Sequence, residues 1–325
     1  MAFRLKLVPD ETHINWFGIQ WLTFGISAVL MVLSVVVTLT MGLNFGIDFR
    51  GGTTIRTETT SPIDVAQYRQ ALGGLGLEDV SISEVFDPSF GPDRHVAQVR
   101  LAVKDGEAAI TPEELSQIED ALKAVDPNVH FSAVESVGPK VSGELIKTAL
   151  YSIGAATLGI LIYIWLRFEW QFALGAVAAL IHDVLLTVGI FSLFQIRFDL
   201  STIAALLTIV GYSINDTVVV FDRCRENLIK FKNMPLIDVM NLTVNETLSR
   251  TIMTAVTTAL ALGALLIWGG DVIRGFVFAM LWGVVIGCYS TLYMAKNIVL
   301  WLGVKRDWTK PKDDDRLPEA FRETP

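Results

Sequence analysis

Charge all but vanishes from six blocks of this chain: residues 16–41, 148–166, 170–196, 200–221, 251–270 and 275–295. A helix of about 20 apolar residues crosses the hydrocarbon core of a bilayer, so each block predicts a membrane span. Between the first two blocks the period changes. Residues 53–59 alternate as a strand does, and residues 63–75 follow Pro62 with Val65, Tyr68 and Leu72 at helical spacing. Residues 80–86 and 95–103 alternate again, the second through Ala97, Val99, Leu101 and Val103, with Pro88, Gly91 and Pro92 as turn material between them. Thr111, Pro112, Glu113 and Glu114 form a capping box that opens a helix through Leu115, Ile118, Leu122 and Val125. Residues 129–137 read as a last strand. The order βαββαβ predicts a ferredoxin-like α+β domain, a fold that by itself names no function.

The expected fold class is therefore a polytopic α-helical membrane protein with six transmembrane helices and one extracytoplasmic α+β domain between the first and second. Its divisions are residues 1–15, 16–41, 42–147, 148–303 and 304–325. Two glycine-containing joints flank the domain. Gly46, Asp48, Gly51 and Gly52 lie in GIDFRGGT (46–53), and Gly138 and Pro139 lie in VGPKVSGEL (137–145). Hinges for a moving domain and plain tight turns both fit these joints.

Composition agrees with the spans. The chain is 52% hydrophobic with mean hydropathy +0.48, beyond an ordinary soluble protein. The first block has no small-residue cleavage pattern and is expected to stay as a helix. Fifteen basic residues fall on one side of the alternating connections, among them Arg4, Arg167, Arg223, Arg225, Lys232, Arg250, Lys296 and Lys305, against only Arg197 and Arg274 on the other. The positive-inside rule then puts both termini in the cytoplasm and residues 42–147 outside it. Those residues hold 17 acidic and 9 basic side chains, the whole net charge of −8, which reads as a solvated acidic surface with no nucleic-acid partner. Trp16, Trp21, Trp165, Trp170, Trp268, Trp301 and Trp308 sit where membrane interfaces are expected. Gly283 and Gly287 allow close helix packing within the chain. Cys224 and Cys288 offer neither a disulfide framework nor metal-ligand spacing.

The candidate chemistry lies inside the spans. Asp216 interrupts the fourth block, flanked by Ser213, Asn215 and Thr217, six residues before Asp222 and so about 9 Å deep at ~1.5 Å per residue. An Asp there costs roughly 2.5–3.5 kcal/mol on insertion scales, and such residues face protein interiors and do work. Burial disfavours the charged carboxylate while a neighbouring arginine favours it, so a site that alternates between the two conditions exchanges protons. Arg250, at the start of the fifth span, matches Asp216 in depth; a snorkelling anchor is its other reading. Thr254, Thr257 and Thr258 share its helix face and offer hydroxyls for water. His182 and Asp183 lie at the middle of the third span, where a proton relay and a helix–helix hydrogen bond are equally compatible with the residues.

Taken together, six spans with one domain after the first, GIDFRGGT before it, VGPKVSGEL after it and VGYSINDTVVVFDRCREN (210–227) on the fourth span resemble the SecF family of bacterial protein-export subunits. The resemblance covers the chain to about Val304. It implies a resistance–nodulation–division architecture, in which two six-helix halves pair about a pseudo-two-fold axis. It also implies use of the proton motive force with SecD to promote late translocation of polypeptides across the inner membrane. The implied partners are SecD, the SecYEG translocon, the exported polypeptide and, as a further candidate, YajC. Proton passage falls to Asp216 and Arg250, with His182, Asp183 and Thr254 beside them. No enzyme activity and no cofactor are expected beyond the proton gradient, and no GxxxxGK[ST] occurs. The alternative is half of a proton-driven small-molecule exporter of the same superfamily, for which a 42–147 domain is small. A membrane sensor is a third class, disfavoured because no output domain follows Val304.

Overall fold

The computed structural model describes residues 9, 12–77, 80–88, 90–91, 93–102 and 110–304; Val103, Pro92 and the basic residues of both termini lie outside them. Among the described residues six helices are long and apolar enough to cross a membrane. They are α1 (Gln20–Met41), α5 (Pro139–Arg167), α6 (Trp170–Leu193), α7 (Leu200–Lys230), α8 (Leu236–Trp268) and a sixth built from α9 (Asp271–Ser290), a π-helical turn (Thr291–Ala295) and α10 (Lys296–Leu302). Of these, α6 is the most deeply enclosed and α8 the least. The protein is thus a membrane protein with a folded domain between its first two spans.

That domain contains β2 (Gly52–Thr59), α3 (Val65–Gly73), β3 (Ser81–Val85), β4 (His95–Leu101), α4 (Pro112–Val125) and β5 (His130–Val137). Its four strands are antiparallel in the order β3-β4-β2-β5. Strand alternation sends Ile55, Ile82, Val99 and Leu101 to one face, where Tyr68, Leu72, Ile118 and Leu122 of the two helices close the core. Local sequence fixes the helix starts. Thr111 and Glu114 cap α4 reciprocally, and Asp64 accepts from the backbone of Ala66 and Gln67.

The joint before the domain is bonded rather than loose. A short strand, β1 (Asn44–Phe45), pairs in parallel with β6 (Arg197–Phe198) in the connection between α6 and α7. The Gly46 amide donates to the Phe198 carbonyl at 2.8 Å, and Asp48, in the one-turn helix α2 (Ile47–Arg50), accepts from the Leu200 amide at 3.0 Å. Gly51 and Gly52 then adopt φ 74° and 137°, and a Cβ on Gly52 would lie 2.6 Å from the Leu101 carbonyl oxygen. Only glycine fits there. The second joint is a single residue. Gly138 caps α5, Pro139 occupies its first turn, and the helix runs unbroken into the span.

Two helices outrun the apolar blocks. α7 continues nine residues past Phe221, and α8 begins at Leu236, well before Thr251. Their polar extensions form a hairpin that buries Cys224 and Leu228 against Val239, Met240 and Val244. Hydropathy marks where a chain meets lipid, not where its helix stops. Within the bundle, Gly283 and Gly287 seat α9 against α7: a Cβ at Gly283 would collide with Ile209, and one at Gly287 would lie 3.1 Å from Ser213 Cβ.

Candidate functional site

The two acids read from the sequence sit in unlike surroundings. Asp183 on α6 is fully buried, and so is His182. Both hydroxyl groups that reach Asp183 end on Oδ2: Ser213 of α7 donates at 2.6 Å and Ser290 at the end of α9 donates at 2.8 Å. His182 Nδ1 lies 3.0 Å from Oδ1. The imidazole stacks on Tyr289 at 5.9 Å between ring centroids, and the Tyr289 hydroxyl donates to the Thr23 carbonyl at 2.9 Å and lies 2.9 Å from Ser27 Oγ. One carboxyl group therefore ties α6, α7 and α9 directly, and reaches α1 through a ring stack. Both oxygens of the carboxyl group have partners, which is how a buried carboxyl group is made tolerable.

Asp216 differs. It lies one turn beyond Ser213 on α7 and is half-buried. Its Oδ1 accepts from Thr251 Oγ1 at 2.7 Å, while Oδ2 is enclosed with no hydrogen-bond partner among the described residues. Arg250 is exposed and its guanidinium makes no hydrogen bond to the carboxylate, although it is near enough for its charge to act there. The reason is rotational. Spacing shows which residues share a helix face but not which face points inward. Met240, Val244, Thr247 and Thr251 form the inward stripe of α8, so Arg250, Thr254 and Thr257 turn outward, all three exposed. Thr254 and Thr257 spend their hydroxyls on carbonyls of their own helix, and Thr258 accepts from Tyr212 at 3.3 Å.

Of the supporting residues, Thr217 is buried and shares a 2.9 Å hydrogen bond with Thr291, whereas Asn215 is exposed. Thr291 opens the π turn, a local widening common where helices carry function. Past that turn Lys296 is fully enclosed, its Nζ 3.9 Å from the Phe17 ring centroid with Tyr293 at 5.5 Å and Trp16 at 5.7 Å. Sequence reasoning missed Thr251, Ser290, Thr291 and this enclosed lysine. Only the step from Arg250 to the adjacent hydroxyl was within its reach. Gly46, Asp48, Gly51, Gly52, Gly138 and Pro139 lie apart, at the domain joints. No three His, Cys, Asp or Glu side chains among the described residues are grouped as metal ligands.

Six spans around a buried carboxyl node, with an α+β domain set between the first two, define a polytopic α-helical membrane protein. The profile described as "Protein export membrane protein SecD/SecF, C-terminal" matches residues 117–305, and "SecD/SecF GG Motif" matches residues 36–63. The chain is 66% identical to the protein translocase subunit SecF of Cereibacter sphaeroides over 321 residues, covering 99% of this chain and 98% of that one. It is 39% identical to SecF of Pseudomonas aeruginosa over 313 residues, 96% of each. The crystal structure of SecDF, a translocon-associated membrane protein from Thermus thermophilus, superposes with a TM-score of 0.79 at 32% identity over 91% of this chain. This chain spans only 39% of that one. The chain belongs to the SecF family of protein-export membrane proteins.

Proposed function

We propose that this accessory subunit of the Sec export machinery draws on the proton motive force, with Asp216 as the group that gains and loses the proton. The observation that carries the reading is the half-open carboxyl group in a span: one oxygen held by Thr251 and the other enclosed without a partner. Asp183 serves as the fixed point. Its bonds to α7 and α9 supply the rigidity against which a change at Asp216, one turn from Ser213 on α7, is felt.

Arg250 completes the site from the outward face of α8. That face, with Thr254 and Thr257, is the surface we assign to SecD, whose six-helix half closes the proton path from the other side. Protonation of Asp216 shifts α7 against α8, and the β1–β6 ribbon carries the shift to the domain through the Gly46–Gly52 joint. The domain is ferredoxin-like, as its strand order supports, and periplasmic, with both chain ends in the cytoplasm of the inner-membrane-bound protein; the exported polypeptide is received from SecYEG. The test is Asp216→Asn in cells and in membrane vesicles. Assembly with SecD persists and stimulation of secretion by the proton gradient is lost. Unchanged stimulation removes Asp216 from the mechanism.

A further inference from the structure

One face of the domain sheet is covered by α3 and α4, and the other looks down on the ends of the spans. Thr54 and Arg56 of β2 stand opposite Arg100 and Gln98 of β4 on that open face. Beneath them lies a cavity of about 560 Å³, adjoined by one of about 210 Å³ that shares Gln98, Arg100, Arg197 and Asp199. The larger lies within the roughly 300–1,000 Å³ of small-molecule sites. Its roof is polar. Its floor is apolar, made by Ile196, Leu266, Val272 and Phe278 where the spans end. An amphipathic cleft at this level meets the membrane where hydrocarbon gives way to headgroups.

One charge in the cleft is left without an opposite partner among the described residues, that of Arg100. Arg100 Nη2 and Arg197 Nη1 both donate to Gln98 Oε1, at 3.3 and 3.4 Å. Two guanidinium groups thus converge on one neutral amide oxygen; Arg197 has Asp199 as a counter-charge at 3.4 Å, and Arg100 has only the amide. Arg100 forms no ion pair among the described residues and its Nε is buried without a partner, as is that of Arg56. Burial, then the like charge of Arg197, pulls Arg100 down to about 10, with Asp199 opposing. The nearby carboxylates have partners of their own, Asp199 including Arg197 itself. Asp199 accepts from the Thr202 amide and the Ser201 hydroxyl and lies 3.4 Å from Arg197 Nε. Asp271 is held by Arg274 at 2.5 Å and by the Phe86 amide at 2.6 Å. Asp48 is taken by the Leu200 amide, and Glu84 lies 3.8 Å from His95. Glu135, exposed, also lines the smaller cavity.

We propose that this cleft binds a membrane phospholipid, its phosphate between Arg100 and Arg197 and its first acyl methylenes on the apolar floor. Paired guanidinium forks match phosphate oxygens bidentately, and charge-assisted bonds of this kind are about twice as strong as neutral ones. The inference rests on the membrane reading, and on the proposed orientation only for the leaflet, which is then the outer one. A bound lipid would brace the domain against the spans, so the domain's stance becomes sensitive to the membrane around it. A carboxylate of a passing polypeptide is the rival occupant; the apolar floor favours the lipid.

The test uses the full chain, delipidated in a phosphate-free detergent and examined by native mass spectrometry. Phosphatidylglycerol and phosphatidylethanolamine are retained at least tenfold better than diacylglycerol, which lacks the phosphate, and than glycerol phosphate, which lacks the chains. The double substitution Arg100→Gln with Arg197→Gln abolishes the difference at unchanged helix content, and Arg100→Lys keeps part of it. Should the double variant not fold, the four ligands on the unaltered chain decide the matter alone. Equal retention of diacylglycerol reduces the site to apolar contact, equal retention of glycerol phosphate makes it a free-phosphate site, and displacement by an acidic peptide that itself binds makes it a polypeptide site. Each outcome overturns the proposal. Asp216→Asn retains the phospholipids normally, so failure here and failure of the proton reading are told apart.

Discussion

Replacing Ser290 with alanine probes the node that holds the spans together. The Ser290 hydroxyl donates at 2.8 Å to a carboxyl group that is fully buried, with Ser213 on the same oxygen. Polar contacts between membrane helices average about 0.6 kcal/mol and reach about 1.7. Hydrogen bonds to charged groups contribute roughly 1.5–3 kcal/mol. A carboxyl oxygen shared by two hydroxyl groups in a buried site places Ser290→Ala at the top of the membrane range, about 1.7 kcal/mol, and an amide in its place leaves it near 0.6 kcal/mol. In the Asp183→Asn background the hydroxyl falls back on the Gly287 carbonyl, 3.1 Å away in its own helix, and its loss costs little. The coupling energy between the two substitutions is thus about 1 kcal/mol, the part that depends on the carboxyl group. The assay is a double-mutant cycle by reversible detergent-driven unfolding in mixed micelles. A Ser290→Ala cost that is the same in both backgrounds refutes the assignment of Asp183 as the fixed point that Ser290 holds.

Two further substitutions test other joints. Gly283→Ala drives a methyl group into Ile209 and forces α7 from α9, an overpacking cost of about 1–3 kcal/mol that lowers the thermal midpoint; an unchanged midpoint would mean the two helices do not touch there. In the domain, Asp126 is held below the ordinary carboxylate range, first by the Thr59 hydroxyl and then by the Asn128 amide. Its contribution is therefore present above the unfolded value near 3.9 and fades as pH falls through the lower folded value. Hydrogen exchange at the end of α4 speeds up in that acid range, and Asp126→Asn, which is fast throughout, removes the pH dependence; identical pH profiles would contradict the assignment.

Much of this architecture is legible in the residues. Long apolar runs locate the spans because lipid demands them, and the capping box at Thr111 and the alternation through Val99 and Leu101 locate domain elements because burial and helix ends demand those patterns. The glycines of the first joint announce special backbone angles, and Gly51 and Gly52 adopt them. What escapes is whatever depends on rotation and on neighbours. The threonine stripe beginning at Arg250 has helical spacing, yet it faces outward, and the hydroxyl on Asp216 comes from the next residue. The π turn at Thr291–Ala295 leaves no mark in hydropathy, so the enclosure of Lys296 behind it was unreadable. The hairpin beyond Phe221 was hidden because charged residues on one face mask the buried stripe on the other.

The central claim is that Asp216 itself takes up and releases the proton, and infrared difference spectroscopy of the assembled complex with SecD reads this directly. On acidifying the medium, the account predicts a protonated-carboxyl band that is present in the unaltered protein and absent from Asp216→Asn. A difference spectrum that is the same in both proteins would contradict it.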